Sequence, residues 1–383
     1  MVDFRLSEEQ EALRASVQEF AREQVAPVIA EHYERHTFPY DIIRQMGKMG
    51  LFGLPFEEEH GGMGGDYFAL CLALEELARV DSSVAITLEA AVSLGAMPIH
   101  RFGTPEQKAH WLPRLTSGEA LAGFGLTEPG TGSDAAGTQT RAVLDGDEWV
   151  INGSKAFITN SGTDITCLVT VMAVTGTNPD GSKELSTIIV PSGTPGFTVA
   201  PGYSKVGWTA SDTHELTFDD CRVPAANLLG ARGRGFAQFL RILDEGRIAI
   251  AALSVGLAQG CVDESIAYAG QRQAFGKTIG SYQAVQFMIA DMELRAHTAR
   301  LAYYDAAARM LAGADFKRYA AVAKLHASNA AMDNARYATQ VHGGYGFMNE
   351  SAVGRFYRDA KILEIGEGTS EVQRMLIARG LGL

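Results

Sequence analysis

The sequence Arg358-Asp-Ala-Lys-Ile-Leu-Glu-Ile-Gly-Glu-Gly-Thr-Ser-Glu-Val-Gln-Arg374 lies near the end of this 383-residue chain and predicts a functional bend. At its centre Gly366 and Gly368 flank Glu367, so the backbone can adopt conformations closed to other residues and come close to a ligand. Thr369 is a candidate N-cap, because the residues after it have helical spacing. A carboxylate on such a bend can point into a cavity and act as a base. The alternative is an ordinary capping or surface turn.

The composition is that of a globular protein with an acidic balance. Hydrophobic residues make up 46% of the chain, charged residues 20%, and the formal net charge is -12. No basic stripe is present, which argues against a nucleic-acid partner. The run near residues 81–100 is apolar, but Asp81 and Glu89 argue against a membrane span. No leader pattern opens the sequence and the four cysteines form no CxxC pair, so we expect reduced thiols and a cytoplasmic location.

The first two thirds of the sequence predict two domains of different type. Residues 1–119 show helical periodicity, with capping-box patterns at Ser7–Gln10 and Thr104–Gln107, and predict an all-α domain. Residues 120–226 show short apolar or alternating runs separated by turn residues, which predict an antiparallel β-sandwich or barrel. Parallel pairing is not expected, since no crossover helix fits between these runs.

Residues 227–383 return to a helical pattern rich in alanine. Long helices are expected at about residues 233–270, 282–312 and 315–341, and with the C-terminal helix they predict a four-helix bundle. The His, Asp and Glu residues do not form the Glu and ExxH set of a di-iron bundle, so no metal site is predicted. The expected fold is therefore multidomain α and β.

Two segments of the β domain suggest ligand binding. Phe124–Asp134 is dense in hydroxyls, glycines and backbone N–H groups, which suits the edge of a heterocycle and a phosphate. It is not a dinucleotide fingerprint, because no helix follows it. In Ile151–Asn160, Asn152-Gly153 predicts a hairpin turn, after which Phe157 and Thr159 lie on one strand face. Each segment alone is also compatible with an ordinary β-turn or hairpin.

Arg358-Asp-Ala-Lys followed by Gly-Glu-Gly-Thr-Ser-Glu resembles the C-terminal signature of the acyl-CoA dehydrogenases. The two β segments resemble the flavin-binding strands of that family, and further matches follow in family order: Asp244-Glu-Gly-Arg247, Arg272-Gln-Ala-Phe-Gly-Lys277 and Gln340-Val-His-Gly-Gly-Tyr-Gly346. The resemblance implies FAD-dependent α,β-dehydrogenation of an acyl-CoA thioester to a trans-2-enoyl-CoA. Glu367 would take the α-proton and flavin N5 the β-hydride. It also implies an electron-transfer flavoprotein as the electron acceptor and a homo-oligomer, usually a tetramer.

The resemblance further implies roles for individual residues of this sequence. In the β domain it implies flavin contacts from Phe124, Leu126, Thr127, Gly132, Ser133, Phe157 and Thr159. In the helical domain it implies contacts to FAD, partly that of a neighbouring subunit, from Arg272, Phe275, Gln283, Gln340, Gly343, Gly344, Thr369 and Glu371. Acyl-CoA contacts are implied for Ser133, Asp244, Arg247 and Gly368.

The residue at position 246 helps to decide which side chain acts as the base. Some branches of the family place the base just before the helix arginine and lack the C-terminal Glu, whereas this sequence has Gly246 at that position and keeps Glu367. The resemblance therefore places the base on the C-terminal motif and leaves the acyl group open. Two alternatives remain: an acyl-CoA oxidase that uses O2, and a catalytically inactive helical scaffold subunit. The complete set of Glu367, Ser133 and Arg247 argues against the scaffold.

Overall fold

The computed structural model describes residues 5–383, so the first four residues, part of the segment inspected for a leader, lie outside it. The N-terminal part is helical, as predicted. Both capping boxes form, at Ser7 with Gln10 and at Thr104 with Gln107, and they supply partners for N–H groups that a helix start leaves open. The helices are α1 Glu8–Phe20, α2 Ala26–Arg35, α3 Tyr40–Lys48, α4 Tyr67–Ala78, α5 Ser82–Glu89, α6 Met97–Phe102 and α7 Pro105–Thr116.

One apolar helical run joins α5 and α6 through a π-helical segment, Ala90–Ala96. This run and the later helix α8, Gly235–Gln271, are long and apolar enough to cross a membrane, but both lie mostly buried inside the protein. The rest of the fold therefore covers their apolar surface, as it does for the central helices of large globular proteins.

The middle domain contains eight strands in one sheet. Its order is β6–β7–β3–β2–β4–β5–β8, with β1 beside β4. Buried residues of β3, β4, β5 and β7 pack into one core, as in a sandwich. The strands are β1 Leu121–Gly125, β2 Arg141–Asp145, β3 Glu148–Thr159, β4 Thr166–Thr177, β5 Lys183–Pro191, β6 Phe197–Val199, β7 Thr213–Pro224 and β8 Leu228–Leu229.

The expectation of a purely antiparallel sheet is wrong for β1. This strand pairs with β4 in parallel, with Phe124 opposite Thr170, and β2 also meets β4 in parallel at Arg141 and Val174. Parallel neighbours need a long connection, and for β1 and β4 the β2–β3 hairpin supplies it. A hairpin serves as the crossover here in place of a helix, so the absence of a helix between the strands does not exclude parallel pairing.

The prediction of a hairpin turn at Asn152-Gly153 is also wrong. Both residues lie inside β3, where the pairing with β7 is irregular between Ile151 and Gly153. Gly153 has a φ of 147°, and a side chain there would overlap Thr140. The β2–β3 turn lies instead at Gly146, whose φ is 63°. An Asn-Gly pair favours unusual backbone angles, which an irregular strand uses as readily as a turn.

The C-terminal domain is helical, as predicted, but holds five helices in the described chain rather than four. The helix that was not predicted, α11, is amphipathic and buries Arg355 and Asp359 together with its apolar residues. A two-stranded hairpin, Gln273–Ala274 with Lys277–Thr278, separates α8 from α9. The helices are α8, α9 Gln283–Leu311, α10 Lys317–His342, α11 Ala352–Leu363 and α12 Ser370–Gly380.

Asp359 of α11 connects the three parts of the fold. Its buried carboxylate accepts hydrogen bonds, each 2.7 Å long, from the Tyr33 hydroxyl of α2, the Ser82 hydroxyl of α5 and the Trp208 backbone N–H of the middle domain. Buried charge-assisted hydrogen bonds of this kind are strong. The helix that leads into Glu367 is therefore fixed against both other domains.

Candidate active site

Glu367 lies on the bend between α11 and α12. Thr369 caps α12 with its side chain, and Glu367 and Gly368 have φ values of 52° and 99°. The left-handed region is unfavourable for a glutamate, so the surrounding structure must stabilise it. Part of that support is visible at the Gly368 carbonyl, which accepts two hydrogen bonds of 2.8 Å, from Lys324 Nζ and Gln373 Nε2.

The Glu367 carboxylate is enclosed. The residue as a whole is half-buried, but both carboxylate oxygens are fully buried and have no hydrogen-bond partner of regular geometry among residues 5–383. Burial raises the pKa of Glu367 to about 7, while a hydrogen bond from Glu89 and the charges of Lys324 and Arg247 limit the increase. A carboxyl that gains and loses a proton near neutral pH suits general base catalysis. An enclosed polar group without a partner also marks a candidate ligand site.

Glu89, at the end of α5, is a second buried carboxyl beside Glu367. Burial and the Glu367 carboxyl raise the pKa of Glu89 well above its usual range, which favours its protonated form. A protonated Glu89 can donate a hydrogen bond to Glu367, and this favours the ionised form of Glu367. The two carboxyls therefore titrate as a pair.

Gly246 of α8 lies directly against this carboxylate. A Cβ built on Gly246 would overlap Oε2 of Glu367. The neighbouring Glu245 points elsewhere and pairs with Arg101 at 3.0 Å. The residue that could have carried an alternative base is therefore a glycine whose missing side chain makes room for Glu367.

Asp244 and Arg247 lie on the same helix, both buried and bonded to each other. Lys317 holds the other side of the Asp244 carboxylate at 3.0 Å. The Nε of Arg247 is buried without a partner among the described residues, so it can donate to a ligand. Asp244 lines an open cavity of about 550 Å³ whose other charged residues are Arg234, Arg241, Glu245 and Lys317.

The first β segment presents backbone groups at the end of β1. Phe124 is buried, with its ring centroid 4.1 Å from that of Phe239 on α8. The Leu126 carbonyl accepts a hydrogen bond from Lys155, and the Thr127 carbonyl accepts one of 2.8 Å from the Ala156 N–H. The segment is therefore tied to β3 directly below it.

A buried ion pair underlies this segment. Lys155 of β3 is completely buried, and its Nζ lies 2.8 Å from the Glu128 carboxylate, which also accepts the N–H groups of Gln139 and Thr140. Burial alone would raise the pKa of Glu128. The charge of Lys155 and, to a smaller extent, the hydrogen bonds from Gln139 and Thr140 outweigh burial and lower that pKa to about 2. Glu128 is thus ionised at neutral pH and orders the loop that follows Thr127.

Gly132 and Ser133 lie farther along this loop and are exposed. Open space surrounds the Cα atoms of Gly130 and Gly132, whereas the hydroxyl of Thr131 between them is buried without a partner in the described chain. Ser133 makes no hydrogen bond to Asp244 or Arg247, the other residues that the resemblance assigns to acyl-CoA binding. The loop therefore has room for a ligand beside its backbone.

Phe157 and Thr159 lie near the end of β3. Phe157 has a φ of 61° and is 64% exposed, although a large apolar side chain in a strand is usually covered. Its ring centroid is 5.1 Å from that of Tyr203. Thr159, two residues later, is half-buried. The pairing of β3 with β7 is irregular between Lys155 and Ile158, so the shared face of Phe157 and Thr159 stays a prediction.

A third group of predicted residues lies at the far end of the bundle. Arg272, Gly343 and Gly344 line an open cavity of about 510 Å³, formed only by residues of the C-terminal domain. It adjoins the end of α10, about 27 Å along that helix from Lys324 at 1.5 Å per residue. The remaining members of the group are exposed, most of all Phe275 at 96%; they are Phe275, Gln283 and Gln340.

The structure thus brings only some of the predicted residues together. Glu367, Gly368 and Arg247 meet in one enclosed cluster. The Arg272 group instead adjoins the far end of α10 and lines a separate cavity. Glu371 is exposed on α12 and pairs with Arg374 at 3.3 Å.

Comparison with known proteins identifies the family. Three family models match: "Acyl-CoA dehydrogenase, N-terminal domain" at residues 7–119, the middle domain at residues 123–221 and the C-terminal domain at residues 233–382. The chain belongs to the acyl-CoA dehydrogenase family. It is 50% identical to a probable acyl-CoA dehydrogenase of Bacillus subtilis (strain 168) over 381 residues, 99% of this chain and 100% of the relative.

Solved structures of similar chains extend this likeness to the whole acyl-CoA dehydrogenase fold. Butyryl-CoA dehydrogenase from Megasphaera elsdenii is 40% identical, with a TM-score of 0.96 over 100% of both chains. A chain in the structure of the electron transferring flavoprotein of Acidaminococcus fermentans is 41% identical, with a TM-score of 0.96 over 99% of both chains.

Acyl-CoA dehydrogenases are FAD-dependent flavoproteins, and the residues present here fit that cofactor. The exposed ring of Phe157 offers a surface for a flat heterocycle. The loop at Gly130–Gly132 has open space for a diphosphate, and the buried hydroxyl of Thr131 lacks a partner in the described chain. When bound, FAD supplies the acceptor for the hydride in this family's reaction.

Sequence reasoning missed three residues of the enclosed cluster: Glu89, Lys324 and Gln373. For two of them, Glu89 and Lys324, the sequence contains a feature that could have pointed to the site. Glu89 interrupts an apolar run and was considered only as an argument against a membrane span. Lys324 falls among the buried alanines of α10, and a lysine on an apolar helix face is rarely buried without a partner. Gln373 lies on a short helix among other polar residues and gave no such signal.

Proposed function

We propose that the protein oxidises an acyl-CoA thioester to its trans-2-enoyl-CoA, with Glu367 as the base that takes the α-proton. One observation carries the assignment: in a chain of this family, Glu367 is an enclosed carboxylate without a regular hydrogen-bond partner and has a pKa raised to about 7. Such a group is ionised in a useful fraction at neutral pH and is more basic than an exposed carboxylate.

The α-hydrogen of a thioester becomes acidic only if the charge that develops on the carbonyl oxygen is stabilised. The backbone N–H of Glu367 donates to no acceptor among residues 5–383, so it is available for that oxygen. The base and this donor then belong to one residue, and the bend fixes their relative position. Arg247, with its unpaired Nε, is proposed to orient the bound thioester together with Asp244, Ser133 and Gly368.

We propose the flavin contacts in two groups, in keeping with the distance between them. Phe124, Leu126, Thr127, Gly132, Ser133, Phe157, Thr159, Thr369 and Glu371 would hold the flavin of the same chain. The Arg272 group, with Phe275, Gln283, Gln340, Gly343 and Gly344, would contact the FAD of a neighbouring subunit. The exposed Phe275 supports this division. It requires a homo-oligomer, which we propose to be a tetramer; sedimentation of an active monomer would contradict it.

We further propose an electron-transfer flavoprotein as the electron acceptor and a cytoplasmic location. The similar chain in the electron transferring flavoprotein structure of Acidaminococcus fermentans supports that partner. The test is a panel of acyl-CoA substrates, butyryl-CoA included, assayed with a dye acceptor and separately with O2. Turnover with the dye and little with O2 is expected. Turnover that is equally fast with O2 would instead indicate an oxidase.

A further inference from the structure

Lys324 is a buried lysine that the proposed chemistry does not yet use. It lies in the first half of α10, is 0% exposed, and is surrounded along the helix by the buried residues Ala320, Ala321, Ala323, Ala327 and Ser328. Burial of an ammonium group is costly unless the group is paired and hydrogen-bonded. The contacts of Lys324 therefore indicate what it does.

Its direct partner is the bend that carries the base. Lys324 Nζ donates to the Gly368 carbonyl at 2.8 Å, and Gln373 Nε2 donates to the same oxygen at 2.8 Å. The carbonyl that these donors hold belongs to the peptide between Gly368 and Thr369, directly after the two left-handed residues Glu367 and Gly368, whose φ values are 52° and 99°. Two donors on this carbonyl thus support the end of a bend in which a glutamate has a conformation that it seldom adopts.

The charge of Lys324 also acts on the carboxyl pair. Burial lowers the pKa of Lys324 to about 8, while Glu367, Glu364 and Glu371 raise it and Arg247 lowers it further. At neutral pH Lys324 is therefore mostly charged. Glu367 faces Lys324 of α10, Arg247 of α8 and Glu89 of α5, so Lys324 is one of two cations that stabilise its ionised form.

We propose that Lys324 is a positioning residue for proton abstraction: its hydrogen bond to the Gly368 carbonyl holds the Glu367 bend, and its buried ammonium group favours the ionised form of the Glu367 carboxyl. This inference rests on the proposed function, because it gives Lys324 a role through Glu367. A purely structural lysine would hold the bend but would not change the protonation of Glu367.

The sign of the effect follows from the charges. Without the ammonium group, ionised Glu367 loses an opposite charge, so its pKa rises. The base is then ionised only at higher pH, and flavin reduction slows on the acid side of the profile. An opposite charge close to a carboxyl typically changes its pKa by about one unit or more, which corresponds to about tenfold in rate below the midpoint.

Three substitutions of Lys324 separate the effect of its hydrogen bond from the effect of its charge. Lys324→Met removes both the donor and the charge. Lys324→Gln keeps an N–H donor without the charge, and Lys324→Arg keeps the charge. Lys361→Met is the matched control, because Lys361 lies on α11 near the same bend but is exposed and pairs only with Glu364, at 2.7 Å.

The first measurement needs no substrate. The infrared carboxyl signal of Glu367, isolated by subtracting the matched Glu367→Gln protein, is followed with pH in each FAD-loaded variant. The second is the pH dependence of flavin reduction in a single turnover with the best acyl-CoA of the panel. Both midpoints are expected to rise by about one pH unit or more in Lys324→Met and Lys324→Gln. They should stay in place in Lys324→Arg and Lys361→Met.

Unchanged midpoints in Lys324→Met and Lys324→Gln would overturn the inference. If Lys324→Met does not fold, Lys324→Gln decides alone, since it keeps a polar group at the buried position. Failure of the proposed function gives a different result: Glu367→Gln would still reduce its flavin, whatever the infrared titration of the Lys324 variants shows.

Discussion

Gly246 and Glu367 fit together across α8 and the C-terminal bend: a Cβ on Gly246 would overlap Oε2 of Glu367. A glycine in a helix interior is less favourable than alanine by about 1 kcal/mol. α8 therefore carries a destabilising residue at the position where a side chain would displace the proposed base.

Gly246→Ala should consequently slow flavin reduction without weakening the fold. The new methyl group pushes the carboxylate aside, and a displacement of about 1 Å can reduce a rate by about 10²-fold. Single-turnover flavin reduction and thermal unfolding are the measurements. Gly270→Ala, on the same helix with open space around it, is the control and should leave the rate unchanged. A Gly246→Ala protein as fast as the wild type would show that the carboxylate position is not critical.

A carboxylate placed at position 246 offers a complementary test. Adding Gly246→Glu to Glu367→Gln returns an acid to the same enclosed space from the helix side. We expect part of the lost rate of flavin reduction to return, because the carboxyl can reach the same substrate carbon. Glu245, about 100° away around the helix and paired with Arg101, is not expected to replace the base. No gain over Glu367→Gln alone would mean that the two positions do not reach one reacting atom.

The raised pKa of Glu367 means that the ionised form, which the proposed base catalysis needs, destabilises the folded protein. A folded-state value of about 7 exceeds the ordinary 4.5, so its contribution to stability is complete below about pH 4.5 and is lost as the pH rises through 7. The loss is at most about 3 kcal/mol. Glu367→Gln should therefore raise the melting temperature at pH 8 and have little effect at pH 5. Glu34→Gln, at an exposed position outside the proposed site, serves as the control, and an equal gain there would contradict the explanation.

Lys155 should control cofactor retention. Lys155→Met leaves the buried Glu128 carboxylate without its cation, and breaking such a pair costs about 3–5 kcal/mol when the remaining charge stays buried. The loop after Thr127 should loosen, so FAD should dissociate more easily during dialysis. The double variant Lys155→Met with Glu128→Gln should retain more FAD than Lys155→Met alone, because no unpaired charge remains. Lys48→Met, on an exposed helix position, is the control. Full FAD retention in Lys155→Met would contradict this role.

The sequence predicted those features whose signal is local. The bend at Glu367 could be found because Gly366, Gly368 and a capping threonine lie beside it in the chain. The long helices followed from their periodicity. The Asn152-Gly153 turn was predicted wrongly because the same backbone angles serve an irregular strand. α11 was missed although it is amphipathic.

The cluster around the base could not be assembled from the sequence. Glu89, Gly246 and Lys324 come from three helices separated by long stretches of chain. The family resemblance relates Gly246 to the base, but nothing in the sequence relates Glu89 or Lys324 to Glu367. The parallel pairing of β1 with β4 was hidden for the same reason, since it depends on which strands meet. What one residue does to the pKa of another is a property of the packed structure.

Flavin reduction in Glu367→Gln is the decisive measurement for the role of Glu367 as the base. The amide is nearly the same size as the carboxyl, so fold and FAD content should survive, but it cannot accept the α-proton. Loss of a general base typically costs about 10²–10⁴-fold, and loss of the only base should reach the upper end of that range. A single turnover isolates this step from reoxidation. We expect reduction slower by about 10⁴-fold; a Glu367→Gln protein that reduces its flavin within a few-fold of wild type would show that Glu367 is not the base.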